Sequence, residues 1–371
     1  MTRVCHLTSV HERDDIRIFM KQCRTLAASG FDTTLIVADG QGDETRDGVA
    51  IRDAGRRPLN RAARMALLPR RLLHLAIKAD CQIYHLHDPE LLPLGLALKR
   101  RGRKVVFDSH EDYVADIRIK PYLKFGTAGA ASNAFANFVR LAARRIDLVV
   151  AATPAVAKTY RAMEGVVVET VNNYPLAEEI ARPRDASAIG TSVVYAGAIT
   201  RVRGFPRTVD AMALCRSEAR LELIGPFTDP AAEAGCRAST GWLRTSAHGR
   251  LARADMMDQM ECCAAGIVVL EPVPTFLESR PNKMFEYMSR GLAVIASDFP
   301  LWREIIEGNR CGICVDPLDA RAIAAAIDLL VGDRELAAQM GRLGRQAILD
   351  RFSWLPEGRR LVDIYKRLED A

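Results

Sequence analysis

No run of about 18 apolar residues exists anywhere in the 371-residue chain, so no membrane-crossing helix is expected. The nearest candidate, residues 126–143, is interrupted by Asn133, Asn137 and Arg140. Residues 1–10 read at once as a strand and lead into His11-Glu12-Arg13-Asp14-Asp15. No signal peptide is therefore expected, and a cytoplasmic location is. Of nine cysteines, only Cys311 and Cys314 form a C-x2-C pair, and no second pair completes a zinc module. Reduced, mostly buried thiols are expected. Aromatic residues are only 6% of the chain and do not interleave with its basic stretches, which argues against a nucleic-acid partner. No repeat or low-complexity tract is visible.

A charge excess is missing from the second half. Residues 1–181 hold 27 Lys/Arg against 21 Asp/Glu, whereas residues 182–371 hold 25 of each. The net charge of +6 thus belongs to the first half, which is the half expected to meet an anionic partner. Arginines 56, 57, 61, 64, 70 and 71 and Lys78 lie in residues 56–79 with no acidic residue, interleaved with leucines. This reads as a basic amphipathic helix broken near Pro69. With residues 99–104 it forms the surface that would dock peripherally on the inner face of an anionic membrane. A solvated helix face is the competing reading.

Strands and helices alternate along the chain. Short apolar runs at 3–7, 33–38, 83–86, 104–107 and 148–151, with a helix over 16–28, predict a parallel sheet covered on both faces. The pattern repeats with strands at 192–195, 220–224, 266–270 and 293–296. Helices are predicted at 208–214, 255–262, 282–290 and 320–330, and a last one at 356–368. Residues 175–190, rich in charge and containing Pro175 and Pro183, read as an exposed linker. The expectation is an α/β fold of two doubly wound Rossmann-like domains facing a central cleft. The first spans residues 1–180 and the second 181–350, with residues 351–371 crossing back to the first. Ligands of such sheets bind beyond the carboxyl ends of strands.

The richest segment runs from Glu278 through Ser279, Arg280, Pro281, Asn282 and Lys283 to Glu286 and on to Gly291. Pro281 suits a first helical turn, and Gly291 suits a helix end. The helix N-terminus offers free N–H groups to a phosphate, and Lys283 adds a full charge in the same turn. The Glu286 carboxylate suits the two hydroxyls of a ribose, and Glu278 suits sugar hydroxyls. In the first half, His85 and His87 share one strand face, followed by Asp88 and Glu90. These are metal-ligand types, but the sequence places no further ligand beside them. A polar loop is preferred, and no metal is expected. His110 follows the strand at 104–107 and is the better functional candidate.

Glu278-x7-Glu286, followed by Tyr287-Met-x-x-Gly291-Leu-x-Val-Ile-Ala-Ser, resembles the E-x7-E motif of retaining glycosyltransferases of family 4, which have the GT-B fold. The likeness extends along nearly the whole chain. Tyr195-Ala-Gly197, with Arg201, Arg203 and Gly204, is similar to the family's diphosphate grip. His248-Gly249-Arg250-Leu251 resembles the loop that meets the nucleobase. Asp108-Ser-His110-Glu111-Asp112 resembles the loop whose histidine approaches the donor sugar.

The resemblance implies transfer of a hexose-type sugar from a UDP- or GDP-sugar to a glycan, lipid-linked or small-molecule acceptor. Configuration would be retained, no cofactor or metal used, and the product would serve polysaccharide or glycoconjugate biosynthesis. It implies catalytic roles for Glu278 and His110. It implies donor binding by Gly197, Arg201, Arg203, Gly249, Arg250, Arg280, Asn282, Lys283 and Glu286. The acceptor side is assigned to Arg13, Asp14, His87 and Asp88. Three departures stand out: the loop after the first strand lacks glycine, Ser279-Arg280-Pro281 replaces a glycine-containing turn, and Ala198 replaces an arginine. A nucleotide-sugar 2-epimerase of the same fold, or a non-catalytic scaffold of a polysaccharide-assembly complex, are the alternatives.

Overall fold

The computed structural model describes residues 1–58, 60–111 and 127–370; the side chains of residues 61–63, 65–66 and 127–132 also lie outside the description. Asp112 and Leu59 fall outside it, as does part of the basic segment 56–79.

The chain divides into two compact units, Met1–Asn173 with Trp354–Ala371, and Tyr174–Ser353. The division falls before the expected linker because residues 174–190 pack onto the second unit. Tyr174 packs tilted against Phe285 and edge-on against Phe352, Ala181 N–H donates to the Ser289 carbonyl, and Arg184 donates to the Cys263 carbonyl. The expected exposed linker is thus tied down by main-chain and guanidinium hydrogen bonds.

The first unit carries an eight-stranded sheet. Its strands are β1 (Arg3–Leu7), β2 (Asp32–Val37), β3 (Glu44–Arg46), β4 (Val49–Asp53), β5 (Ile83–Leu86), β6 (Lys104–Ser109), β7 (Leu148–Ala151) and β8 (Val168–Thr170). Their order is β3-β4-β2-β1-β5-β6-β7-β8, all parallel except the β3–β4 pair. The central strands β5 and β7 are buried throughout, the mark of a sheet covered on both faces. The helix predicted over 16–28 begins as a π-helix, Ile16–Cys23, and becomes α at Arg24–Ala28. Helix Arg61–Ala79 continues through Pro69 rather than breaking there. Leu68, Leu72 and Ala76 are wholly buried, and their burial outweighs the one backbone bond Pro69 removes. The C-terminal helix Trp354–Asp370 belongs to this unit. Trp354 Nε1 donates to Thr25 Oγ1 at 2.9 Å, and Glu357 accepts from both the main chain and the side chain of Asn172.

The second unit holds six parallel strands: β9 (Ser192–Ala196), β10 (Arg220–Ile224), β11 (Thr245–Gly249), β12 (Cys263–Val268), β13 (Ala293–Ser297) and β14 (Gly312–Val315). Their order is β11-β10-β9-β12-β13-β14, so the winding reverses between β9 and β12. In a doubly wound sheet that reversal opens a crevice for ligands beyond the strand ends. All nine cysteines are free; seven are buried, Cys314 is half-buried and Cys262 is exposed.

Candidate functional site

The helix Asn282–Ser289 is fixed where the second sheet reverses. Tyr287 is fully buried; its hydroxyl accepts from Ala196 N–H of β9 at 2.9 Å and donates to the Ile267 carbonyl of β12 at 3.4 Å. Gly266 of β12 makes room for that ring, since a Cβ there would sit 2.2 Å from it. One aromatic side chain thus ties the helix to both strands flanking the crevice. Pro281 is the residue before the helix, with φ −66° and ψ 130°, rather than in its first turn. Among the described residues no side chain caps the N-terminus; Met284 N–H turns back to the Pro281 carbonyl, and no carboxylate takes the N–H groups of Asn282 and Lys283.

Lys283, in the first turn, points back at the loop after β9. A Cβ at Gly197 would lie 2.5 Å from Lys283 Cε, and Gly197 has φ +124°. Only glycine satisfies both demands. Lys283 Nζ lies 3.9 Å from the centre of the Tyr195 ring, is shielded from solvent, and has no hydrogen-bond partner among the described residues. Burial, with the nearby Arg203 charge, pushes its pKa down to about 7, and Glu286 only partly opposes this. Arg203 closes a 3-10 turn, Arg201–Arg203, and Gly204 follows at φ +71°, where a Cβ would meet the Val269 carbonyl at 1.8 Å. Thr200 Oγ1 in the same loop is also buried, with no hydrogen-bond partner among the described residues. Two cations, a helix N-terminus and an unpartnered hydroxyl therefore converge at one strand end. Such a set suits an anion with several oxygens.

The remaining expected donor residues are placed as follows. Glu286, one turn past Lys283, is held by Arg253: Nη1 donates to its Oε1 at 3.0 Å. Arg253 also grips Glu179, with Nε 2.7 Å from Oε1. Glu278 follows the short helix Pro274–Leu277 and is exposed. The turn after it is clamped on both sides: Trp302 Nε1 donates to the Ser279 carbonyl at 2.8 Å, and Arg280 Nη1 donates to the Tyr174 hydroxyl at 2.7 Å. Asn282, Arg201 and Arg250 are exposed, and Gly249 ends β11 with φ +67°. His248 of the same strand is bound to Glu222 at 2.7 Å.

In the first unit the ends of β1, β5 and β6 bring four histidines around one carboxylate. His6 Nδ1 lies 2.9 Å from His87 Nε2, and His87 Nδ1 lies 3.2 Å from His110 Nε2. The Tyr365 hydroxyl lies 2.6 Å from His85 Nδ1 and 3.3 Å from His6 Nε2. Asp108 accepts a two-pronged bond from Arg17, with Nη2 to Oδ1 at 2.8 Å and Nε to Oδ2 at 3.0 Å. Burial pushes His87 down to about 3 and holds His6 and His85 well below the usual imidazole range, so all three are neutral at pH 7. Burial would raise Asp108, but Arg17 and His110 hold it well below the carboxylate range. The donor atoms of His6, His85 and His87, and those of His87, Asp108 and His110, lie close enough to share a metal ion. His6, His87 and His110 bond in a chain, Tyr365 bridges His85 and His6, and Arg17 pairs with Asp108, while His85 Nε2 has no hydrogen-bond partner among the described residues.

On the acceptor side, Arg13 is buried, forked onto Asp39 at 2.7 and 2.8 Å and paired with Glu44 at 3.1 Å. Asp88 is buried and accepts from Thr8, at 2.8 Å, and from the Ser9 main chain, at 2.6 Å. His87 lies within the histidine cluster. Asp14 alone of the four is exposed. Of the basic surface, Arg57 and Arg64 pair with Glu12 and Glu90, and Lys99 and Arg103 with Asp147 and Asp80. Arg70, Arg71, Lys78, Arg100 and Arg101 face solvent, together with Leu67 and Ile77. Among the described residues, no helix is long and apolar enough to cross a membrane.

Arg253, Thr200, His6, Arg17 and Tyr365 carry no motif. Arg17 and Arg253 share one cue: each is a cation in the first turn of its helix, which opposes the helix dipole and implies a local partner.

Comparison with known proteins adds the following. A glycosyl transferase 4-like domain model matches residues 17–173, and a glycosyl transferases group 1 model matches residues 190–333. The alpha-maltose-1-phosphate synthase of Mycolicibacterium smegmatis is 26% identical over 193 residues, 47% of this chain and 48% of that protein. Its Mycobacterium tuberculosis counterpart is 29% identical over 185 residues, 47% of each. The chain thus spans about half the length of the curated relatives it matches. Among solved structures, sucrose-phosphate synthase from Thermosynechococcus elongatus superimposes with a TM-score of 0.79 at 17% identity, covering 100% of both chains. Anabaena HepE in complex with UDP and glucose gives 0.71 at 14% identity, over 99% of this chain and 100% of that one.

Proposed function

The chain belongs to the group 1 glycosyl transferases and has the GT-B fold, and from that premise we propose that it moves a hexose-type sugar from a UDP- or GDP-sugar to an acceptor. The acceptor is a glycan, a lipid-linked sugar or a small molecule, the anomeric configuration is retained, and no metal takes part. The observation that carries the reading is the shielded, unpartnered Lys283 ammonium beside Arg203, at the uncapped tip of a helix seated where the sheet reverses. A diphosphate supplies the oxygens that this set lacks.

As the glycosidic bond to phosphate breaks, negative charge grows on the leaving oxygen. Lys283, Arg203 and the helix N–H groups are already oriented toward it and need no reorganisation. Glu286 takes the ribose hydroxyls, and exposed Glu278 takes hydroxyls of the transferred sugar. The leaving phosphate accepts the proton of the attacking hydroxyl, through an oxocarbenium-like transition state. His110 is proposed to approach the donor sugar with its imidazole fixed from behind by His87. Asp14 is proposed to meet the acceptor, while Arg13 and Asp88 hold the loop that presents it. Arg70, Arg71 and Lys78, beside Leu67 and Ile77, support peripheral contact with an anionic membrane surface.

The test is a panel of UDP- and GDP-sugars, read by thermal shift and calorimetry. A ligand at 100 times its dissociation constant stabilises by about 2.7 kcal/mol, a rise of several degrees in Tm. Glu278→Gln is expected to keep nucleotide affinity and lose transfer. Failure of every nucleoside diphosphate to bind at millimolar concentration would reject the reading. Conversion of the sugar nucleotide with no acceptor present would identify epimerisation instead.

A further inference from the structure

Arg253 opens the helix Arg253–Met260, four residues beyond the end of β11. Its guanidinium is divided between two carboxylates. Nη1 donates to Glu286 Oε1 at 3.0 Å, while Nε and Nη2 lie 2.7 and 2.5 Å from Glu179 Oε1. Glu179 is itself anchored, because its Oε2 accepts the Leu176 main-chain N–H at 2.9 Å. The three side chains are 29%, 17% and 10% exposed for Arg253, Glu286 and Glu179, so the array is partly sheltered but reachable from solvent.

Two consequences follow for Glu286. Its carboxylate is held through Oε1 from the Arg253 side, and an ionised carboxylate has about four acceptor positions. Oε2 and the second lone pair of Oε1 therefore remain for two adjacent hydroxyls. Glu286 also lies three residues after Lys283 on the same helix, a spacing at which a carboxylate and an ammonium can pair. Such a pair would neutralise Lys283. Arg253 is the stronger partner, because its planar fork stays charged and binds both Glu286 and Glu179.

We propose that Arg253 is a positioning residue of the donor site, orienting Glu286 for the ribose hydroxyls of a nucleoside diphosphate while keeping it off Lys283. The proposal rests on the donor-site reading above and adds to it a determinant of selectivity for ribose over deoxyribose. Arg253 touches no reacting atom; its effect passes through Glu286.

The experiment measures calorimetric affinities of UDP and GDP, each with its 2′-deoxy counterpart, for the whole chain and for Glu286→Gln, Arg253→Met and Arg253→Lys. Loss of one hydrogen bond to a charged group corresponds to roughly a ten- to hundredfold preference for the ribonucleotide in the unaltered protein. Glu286→Gln should abolish the preference. Arg253→Met, with Glu286 still present, should reduce it to within about threefold. Arg253→Lys, which keeps the charge but not the fork, should fall between. The ratio is taken within one folded variant, so a general loss of stability does not move it. Should Arg253→Met fail to fold, Arg253→Lys carries the test, and an unaltered ratio there overturns the proposal. If Glu286→Gln loses the preference and Arg253→Met keeps it, the proposal fails while the donor-site reading stands. If the unaltered protein binds a nucleoside diphosphate with no ribose preference, the role of Glu286 fails and the proposal falls with it.

Discussion

Lys283 makes the donor site sensitive to pH in a direction the structure dictates. In the free protein its pKa is pushed down to about 7 by burial first and by Arg203 second, with Glu286 opposing. The groups around it are those two charges and the Tyr195 ring, 3.9 Å from Nζ. A bound diphosphate keeps the ammonium protonated, so above pH 7 binding must draw a proton from solvent and affinity must fall. The perturbation is a move from pH 7.5 to pH 9, above the last phosphate ionisation near 6, so the charge of the diphosphate stays constant. About a quarter of Lys283 is charged at pH 7.5 and about one part in a hundred at pH 9. The dissociation constant of UDP should therefore rise roughly 25-fold, or about 1.9 kcal/mol. Calorimetry in buffers of different ionisation enthalpy should register uptake of nearly one proton at pH 9. Lys283→Met should bind more weakly throughout and show no such slope. An affinity independent of pH, with no proton uptake, would refute the claim that a buried, titrating lysine meets the phosphate.

Gly197→Ala places a Cβ 2.5 Å from Lys283 Cε at a residue with φ +124°. It should weaken UDP binding at least tenfold and lower stability by about 1–3 kcal/mol, as read by calorimetry and urea unfolding. Acid should destabilise the first unit early. His6, His85 and His87 stay neutral in the folded state well below 6.5, whereas the unfolded chain protonates them from about 6.5 downward. Stability should then fall with falling pH by up to about 1.4 kcal/mol per pH unit for each histidine. Tyr365→Phe, which removes the hydroxyl between His85 and His6, should lower stability at pH 7 by about 1–3 kcal/mol. A melting temperature unchanged from pH 7.5 to pH 5 would contradict the neutral-histidine assignment.

What could be read in advance was whatever rested on local periodicity. β9, β10, β12 and β13 are parallel strands whose apolar runs announce themselves, and the helix at Lys283 declares its end through Gly291. β11, of which no residue is buried, and β3, a three-residue edge strand, have no such run and went unread, as did the short strands β4, β8 and β14. The 18-residue helix Arg334–Arg351 was missed as well. Its buried positions are mostly alanine and glycine, which a hydrophobic pattern does not register. The shared face of His85 and His87 followed from strand alternation alone, and their rings do stack at 4.7 Å. The partners that decide their chemistry did not follow, because His6 and Tyr365 reach them from 81 and 280 residues away in the chain.

Arg253 marks the boundary between what is legible and what is not. By the rules of an isolated helix it is badly placed, a cation in the first turn against the dipole. It becomes favourable only once Glu179 and Glu286 are folded against it. A locally unfavourable residue whose compensation lies at the ligand site is where function overrides local preference. The same reasoning applies to Lys283. An ammonium driven down to about 7 by its surroundings is a folding liability at every pH below its unfolded value near 10.4. The liability is greatest at or below pH 7 and eases as pH rises, so Lys283→Met should stabilise the ligand-free protein more at pH 6.5 than at pH 9.5. The gain from an anion must be weighed against that cost, and this is the physical reason to look for the anion at that point in the fold.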